Sequence, residues 1–164
     1  MVFPAEAFAD RMPHEMSPGS IFRLRESWAV VVNYMSSDDS AAPGFIMLQG
    51  DRVGTLFRLS DGMAPCTTLS DQFSWFPAVK PGAIATGDGP ETSSLTLTKD
   101  GPVVMGKDPE RWGKRDTFAF DSKGVLLADL PQGAVKRFSQ WTAELCHPSR
   151  PFVTMGQIFE VDRT

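Results

Sequence analysis

The run Phe22-Arg23-Leu24-Arg25-Glu26-Ser27-Trp28-Ala29-Val30-Val31-Val32-Asn33-Tyr34 constrains the fold more than any other part of this chain. Its even positions carry Phe, Leu, Glu, Trp, Val, Val and Tyr, and its odd positions carry Arg, Arg, Ser, Ala, Val and Asn. Successive side chains of a β-strand point to opposite faces, so this alternation sets one apolar face against a core. A helix would scatter the same residues around its circumference. At the standard rise the run would span roughly 43 Å, which is far longer than a usual strand. A bend or bulge is therefore expected near Glu26-Ser27.

Further strands follow from the same pattern. Phe45-Ile46-Met47-Leu48 reads as a buried strand, and Val53 to Leu59 alternates. Residues 67–76 hold one more short strand. Leu95-Thr96-Leu97 leads through Thr98-Lys99-Asp100-Gly101 to Val103-Val104-Met105, and Thr117 to Phe120 leads through Asp121-Ser122-Lys123-Gly124 to Val125-Leu126-Leu127. A polar tetrad ending in Gly is a hairpin signal. Residues 77–93 are rich in Pro and Gly and read as a long connection with a short strand at 83–86. In 134–145, Val135, Phe138, Trp141, Thr142 and Leu145 fall at helical spacing, which predicts an amphipathic helix. Residues 152–161 alternate again and read as a closing strand. Residues 1–19 form an N-terminal arm or short helix.

The expectation is one mainly β domain over 1–164. It is an antiparallel β-sandwich or β-barrel with one amphipathic helix near the C-terminus. The length of 164 residues suits a single core. The start of the chain lacks the basic and continuously apolar stretches of a signal peptide. No segment approaches a membrane-spanning helix. A cytoplasmic location, without membrane association, is the expectation. Two cysteines, Cys66 and Cys146, do not make a disulfide framework. A net charge of −4 lacks the positive surplus of a duplex-binding domain, so nucleic acid is not an expected partner.

Chemistry is nearly silent. The chain has two histidines, His14 and His147, which leaves no three-histidine metal site. It carries no His-Glu-x-x-His, no Cys-x-x-Cys, no Gly-x-Ser-x-Gly and no Walker-type loop. Gly87-Asp88-Gly89 resembles half a dinucleotide fingerprint, but Pro90 follows it. No cofactor is identifiable. Cys146-His147 could supply a reactive thiolate with Cys66 nearby in space, or both thiols are structural.

Two functional readings remain. The first is a non-catalytic binding or assembly module that acts through loop aromatics and self-associates or takes a protein partner. Its contacts would be Trp75 and Phe76 at the head of the long connection, and Arg111, Trp112 and Arg115 in a second loop. The second is a barrel for a small ligand or cofactor, or an enzyme built on one. There Glu26 faces inward beside Trp28, with Arg58, Arg23, Arg25 and Arg52 at hand for an anionic ligand. The bland alternative for Glu26 is a bulge that turns it to solvent, or an ion pair with a neighbouring Arg.

Overall fold

Ala29-Val30-Val31-Val32 is buried along its whole length, with no exposed position in the run. A strand buried on both sides reads as a continuous apolar stretch rather than an alternating one. That stretch lies at the centre of the architecture. A computed structural model describes residues 3–86, 93–109, 117–129 and 136–163. Within them the strands are β1 (Phe8–Arg11), β2 (Ile21–Leu24), β3 (Ser27–Met35), β4 (Ala41–Met47), β5 (Leu56–Arg58), β6 (Cys66–Leu69) and β7 (Ser74–Val79). They continue as β8 (Ala85–Thr86), β9 (Leu95–Thr98), β10 (Gly101–Lys107), β11 (Thr117–Asp121), β12 (Lys136–Phe138), β13 (Gln140–His147) and β14 (Arg150–Asp162).

The strands form three sheets. The first has six strands in the order β1-β6-β2-β3-β4-β5, the second five in the order β11-β10-β9-β12-β8, and the third three in the order β14-β13-β7. Every ladder between these strands is antiparallel. Among the described residues the sheets do not join into a closed barrel.

One core belongs to all three sheets. Ile21, Trp28, Val30, Val32, Tyr34 and Ile46 of the first sheet meet Leu95, Val104, Phe118 and Phe120 of the second and Trp141, Ala143, Phe159 and Val161 of the third. Trp28 stacks on Phe159 with ring centroids 5.2 Å apart. The opposite face of the six-stranded sheet carries a second cluster, Met16, Phe22, Ala29, Val31, Phe45 and Met47. Leu24, Phe57, Leu59, Met63 and Cys66 pack around it and remain partly exposed.

The expected long strand is a hairpin. Leu24 pairs with Ser27 and Ile21 with Val30, so the chain reverses at Arg25-Glu26. Arg25 adopts φ +56 there. The reversal also changes the faces: Phe22 joins the second cluster, whereas Trp28, Val30, Val32 and Tyr34 join the first. No Gly, Asn or Pro marks this turn, so its composition hid it.

The expected helix over 134–145 is also overturned. Residues 134 and 135 lie outside the described residues, and from Lys136 onward the chain is β12 and β13. Among the described residues no helix exceeds a single three-residue 3-10 turn. Trp141, Ala143 and Leu145 are each 0% exposed and lie two residues apart on β13, which is paired on both sides, by β14 and β7. Phe138 belongs to a different strand, and Ser139 separates the two. The helical spacing of Phe138, Trp141 and Leu145 arose from that break. The N-terminal helix is likewise replaced by a 3-10 turn, Ala5–Ala7, that runs straight into β1.

Other expectations hold. The β9–β10 hairpin turns at Lys99-Asp100. The second hairpin closes through Asp121 N–H to the Val125 carbonyl and Gly124 N–H to the Asp121 carbonyl. β14 covers the expected closing strand. The 121–124 turn docks against the entry to β2. A Cβ on Gly124 would lie 2.4 Å from the Gly19 nitrogen and 2.6 Å from the Val31 oxygen. Gly124 has φ +71 and Gly19 φ +88, so both positions need glycine twice over, for conformation and for space.

Candidate functional site

The outer face of the six-stranded sheet ends in an open cleft of about 540 Å³. Its floor follows from strand alternation. Phe45 and Met47 are two apart on β4 and share a face, and Phe57 on β5 stands opposite Phe45. The two phenyl rings stack with centroids 5.3 Å apart and planes 22° apart. Phe22 supports Phe45 edge-on from below, at 5.4 Å. Leu24, at the end of β2, completes an apolar bed that is only partly closed over.

Polar groups ring that bed. The β2–β3 turn contributes Arg25, Glu26 and Ser27, and the 49–52 turn contributes Gln49, Asp51 and Arg52. Arg23 pairs with Glu26 at 3.2 Å across the tip of the hairpin. Arg25 and Arg52 are exposed and enter no ion pair among the described residues. The Gln49 amide is committed structurally. Its Oε1 accepts the Trp28 N–H at 3.2 Å, and its Nε2 donates to the Glu160 carbonyl at 2.7 Å. One side chain thus ties the first sheet to the third at the cleft's inner end.

The structure separates the three residues expected to share a ligand. Glu26 lies on the cleft rim, with its side chain 92% exposed. It is the turn that carries it off the apolar face, and its partner is the neighbouring Arg23. Trp28 points to the other side of the sheet, into the main core. Arg58 lies on β5 opposite Gly44, which is itself opposite Val32, well along β3 from Glu26. Its charge acts on Tyr34: burial raises the Tyr34 hydroxyl pKa, and Arg58 opposes that rise.

A second, more polar groove of about 450 Å³ runs between β6, residues 15–21 and the 122–123 turn. Arg11 and Asp71 close one side with a 2.7 Å ion pair. Trp75 lines it but is engaged within the chain. Its indole N–H donates to the Gly19 carbonyl at 2.8 Å, and its ring stacks on Trp141 at 6.5 Å. Phe76 is half-buried on β7 and alternates to the other face from Trp75. Arg111, Trp112 and Arg115 lie outside the described residues, as does Gly87-Asp88-Gly89.

Cys66 and Cys146 are both free thiols in different sheets. Cys66 bonds weakly to the Ala64 carbonyl at 3.4 Å. Burial, and then the charge of Asp10, push its pKa up. His147 accepts the Ser149 N–H at Nδ1, 3.1 Å away. Among the described residues, no group of three or more His, Cys, Asp and Glu side chains is placed to hold a metal ion. None of their helices is long and apolar enough to cross a membrane.

Sequence reasoning named Arg25 and Arg52 as cations for an anionic ligand but missed the floor beneath them. Phe45 reads as part of a buried strand and Phe57 as part of an alternating one. The available signal was the run of apolar residues on both faces: a sheet apolar on both sides needs two covers, and the described residues supply only one full set. Compared with known proteins, this chain matches no family model, no curated protein sequence and no solved structure.

Proposed function

We propose that this protein is a non-catalytic binding module whose site is the cleft on the outer face of the six-stranded sheet. The observation that carries the reading is Phe57 and Leu24, partly exposed over the buried Phe45 and Met47 inside a rim of charged turns. Ligand sites are commonly clefts of ~300–1,000 Å³, mostly apolar, with a few placed polar groups. At about 540 Å³ this cleft falls inside that range. The expected contacts therefore move from the loop aromatics to the sheet face.

The test is a fluorescence titration with the neutral probe N-phenyl-1-naphthylamine. The wild-type chain should bind it at one site per chain. Phe57→Gln should lose most of that affinity while thermal unfolding stays cooperative. Equal binding by the two proteins would place the probe elsewhere and overturn the reading.

Assembly with a second copy is the other reading. It is favoured by β14, a strand of 13 residues at the edge of its sheet, with Val153 46% exposed. Exposed edges invite pairing between chains. Native mass spectrometry showing only the 18.0 kDa monomer at micromolar concentration would remove it.

A further inference from the structure

We infer that the cleft's ligand is an amphiphilic anion, a compact apolar body, ring-bearing for preference, carrying one carboxylate or sulfonate. The inference rests on the binding reading above and adds the ligand's charge. The partly exposed Phe57 ring, stacked on the buried Phe45, offers an apolar surface suited to another ring. Arg25 and Arg52, which enter no ion pair among the described residues, line the same cleft. Glu26 is already bound to Arg23, which leaves Asp51 as the one opposing charge on the rim among the described residues. Three Arg, counting Arg23, against two acids make the rim net positive, on a chain whose net charge is −4. Guanidinium pairs a planar acid group with two parallel hydrogen bonds, and it does so best beside an apolar surface that excludes water.

Arg25 supplies an independent reason. It occupies the first position of a two-residue hairpin turn at φ +56, where Gly or Asn would sit without strain. An arginine kept there at a conformational cost is accounted for by what its side chain does at the rim.

The experiment compares two probes on the full chain. 1-Anilinonaphthalene-8-sulfonate is an aromatic anion, and N-phenyl-1-naphthylamine is nearly the same body without the charge. The key variant is Arg25→Gly, which removes the guanidinium and relieves the backbone, so its thermal unfolding should match or exceed that of the wild type. Arg52→Ala is the second variant. Each should weaken the sulfonate probe ~5–10-fold, as expected for one charge-assisted contact, and change the neutral probe less than ~2-fold. Added salt should weaken the sulfonate alone. If Arg25→Gly leaves the sulfonate affinity unchanged, or weakens both probes alike, the charge inference fails while the cleft still stands as a binding site. If neither probe binds the wild type, both readings fall together.

Discussion

Gln49 spans a seam that no backbone ladder crosses, so removing its amide should uncouple two sheets. The wild-type side chain satisfies the Trp28 N–H at 3.2 Å and the Glu160 carbonyl at 2.7 Å. Both bonds are partly buried. Gln49→Ala strands a donor on one sheet and an acceptor on the other. At roughly 1–1.5 kcal/mol for each backbone group left without a protein partner, the loss is about 2–3 kcal/mol. In a domain of this size that corresponds to roughly 4–12 °C in Tm. Gln49→Glu should do no better. A carboxylate can still accept from Trp28 but has no hydrogen for Glu160, and its charge would face a carbonyl oxygen. Urea titration followed by tryptophan fluorescence is the assay, because Trp28 stacks on Phe159 across the same seam. A loss below ~0.5 kcal/mol in both variants, with an unchanged m-value, would mean that water replaces the amide without cost. The seam would then be held by side-chain packing alone.

Three further outcomes are expected. Gly124→Ala puts a methyl 2.4 Å from the Gly19 nitrogen at φ +71, and should cost roughly 2–4 kcal/mol in the same urea assay; a near-neutral result would mean the 121–124 turn is not docked as described. Asp38 is held at about 2, below the ordinary 3.8, first by the Ser36 hydroxyl and then by the Ser40 hydroxyl and amide. Since the folded value is the lower one, this contribution is complete above pH 3.8 and is lost as pH falls through about 2, a trend that Asp38→Asn should flatten; an NMR midpoint near 3.8 would contradict the network. With its pKa raised by burial, Cys66 should react with a thiol reagent at neutral pH more slowly than in the urea-unfolded chain, and buried Cys146 more slowly still; labelling of the native protein at the unfolded rate would refute this.

The β character was legible because alternation survives wherever a strand has one wet face. The closing strand shows it, whereas Phe45–Met47 was legible as a continuous apolar run and the β9–β10 hairpin by its polar turn ending in Gly. It failed where both faces are buried. On β13, Gln140, Thr142 and Glu144 do alternate with Trp141, Ala143 and Leu145, but Thr142, only 4% exposed, counts with the apolar set and blurs the period. Counting every third or fourth apolar residue across the Ser139 break then imitated a helix. The hairpin at Arg25-Glu26 failed for the opposite reason: the turn is made of charged residues that fit an exposed strand equally well, and only the pairing of Leu24 with Ser27 reveals it. The site was half legible. Charge pointed to Arg25 and Arg52, but their convergence over Phe45 and Phe57 depends on which strands are neighbours, a property of topology that local pattern does not carry.

The principal core joins Ile21 to Val161, residues separated by most of the chain. During synthesis the six-stranded sheet is complete once β6 has emerged, yet its inner face has no complete lid until β9 to β11 and then β13 and β14 follow. A nascent chain halted in between would hold Trp28, Val30, Val32 and Ile46 open to solvent. Topologies dominated by such distant contacts fold slowly, and surfaces of this kind recruit chaperones. In the cell, the order in which the ribosome delivers the strands therefore decides how long this protein stays vulnerable to aggregation.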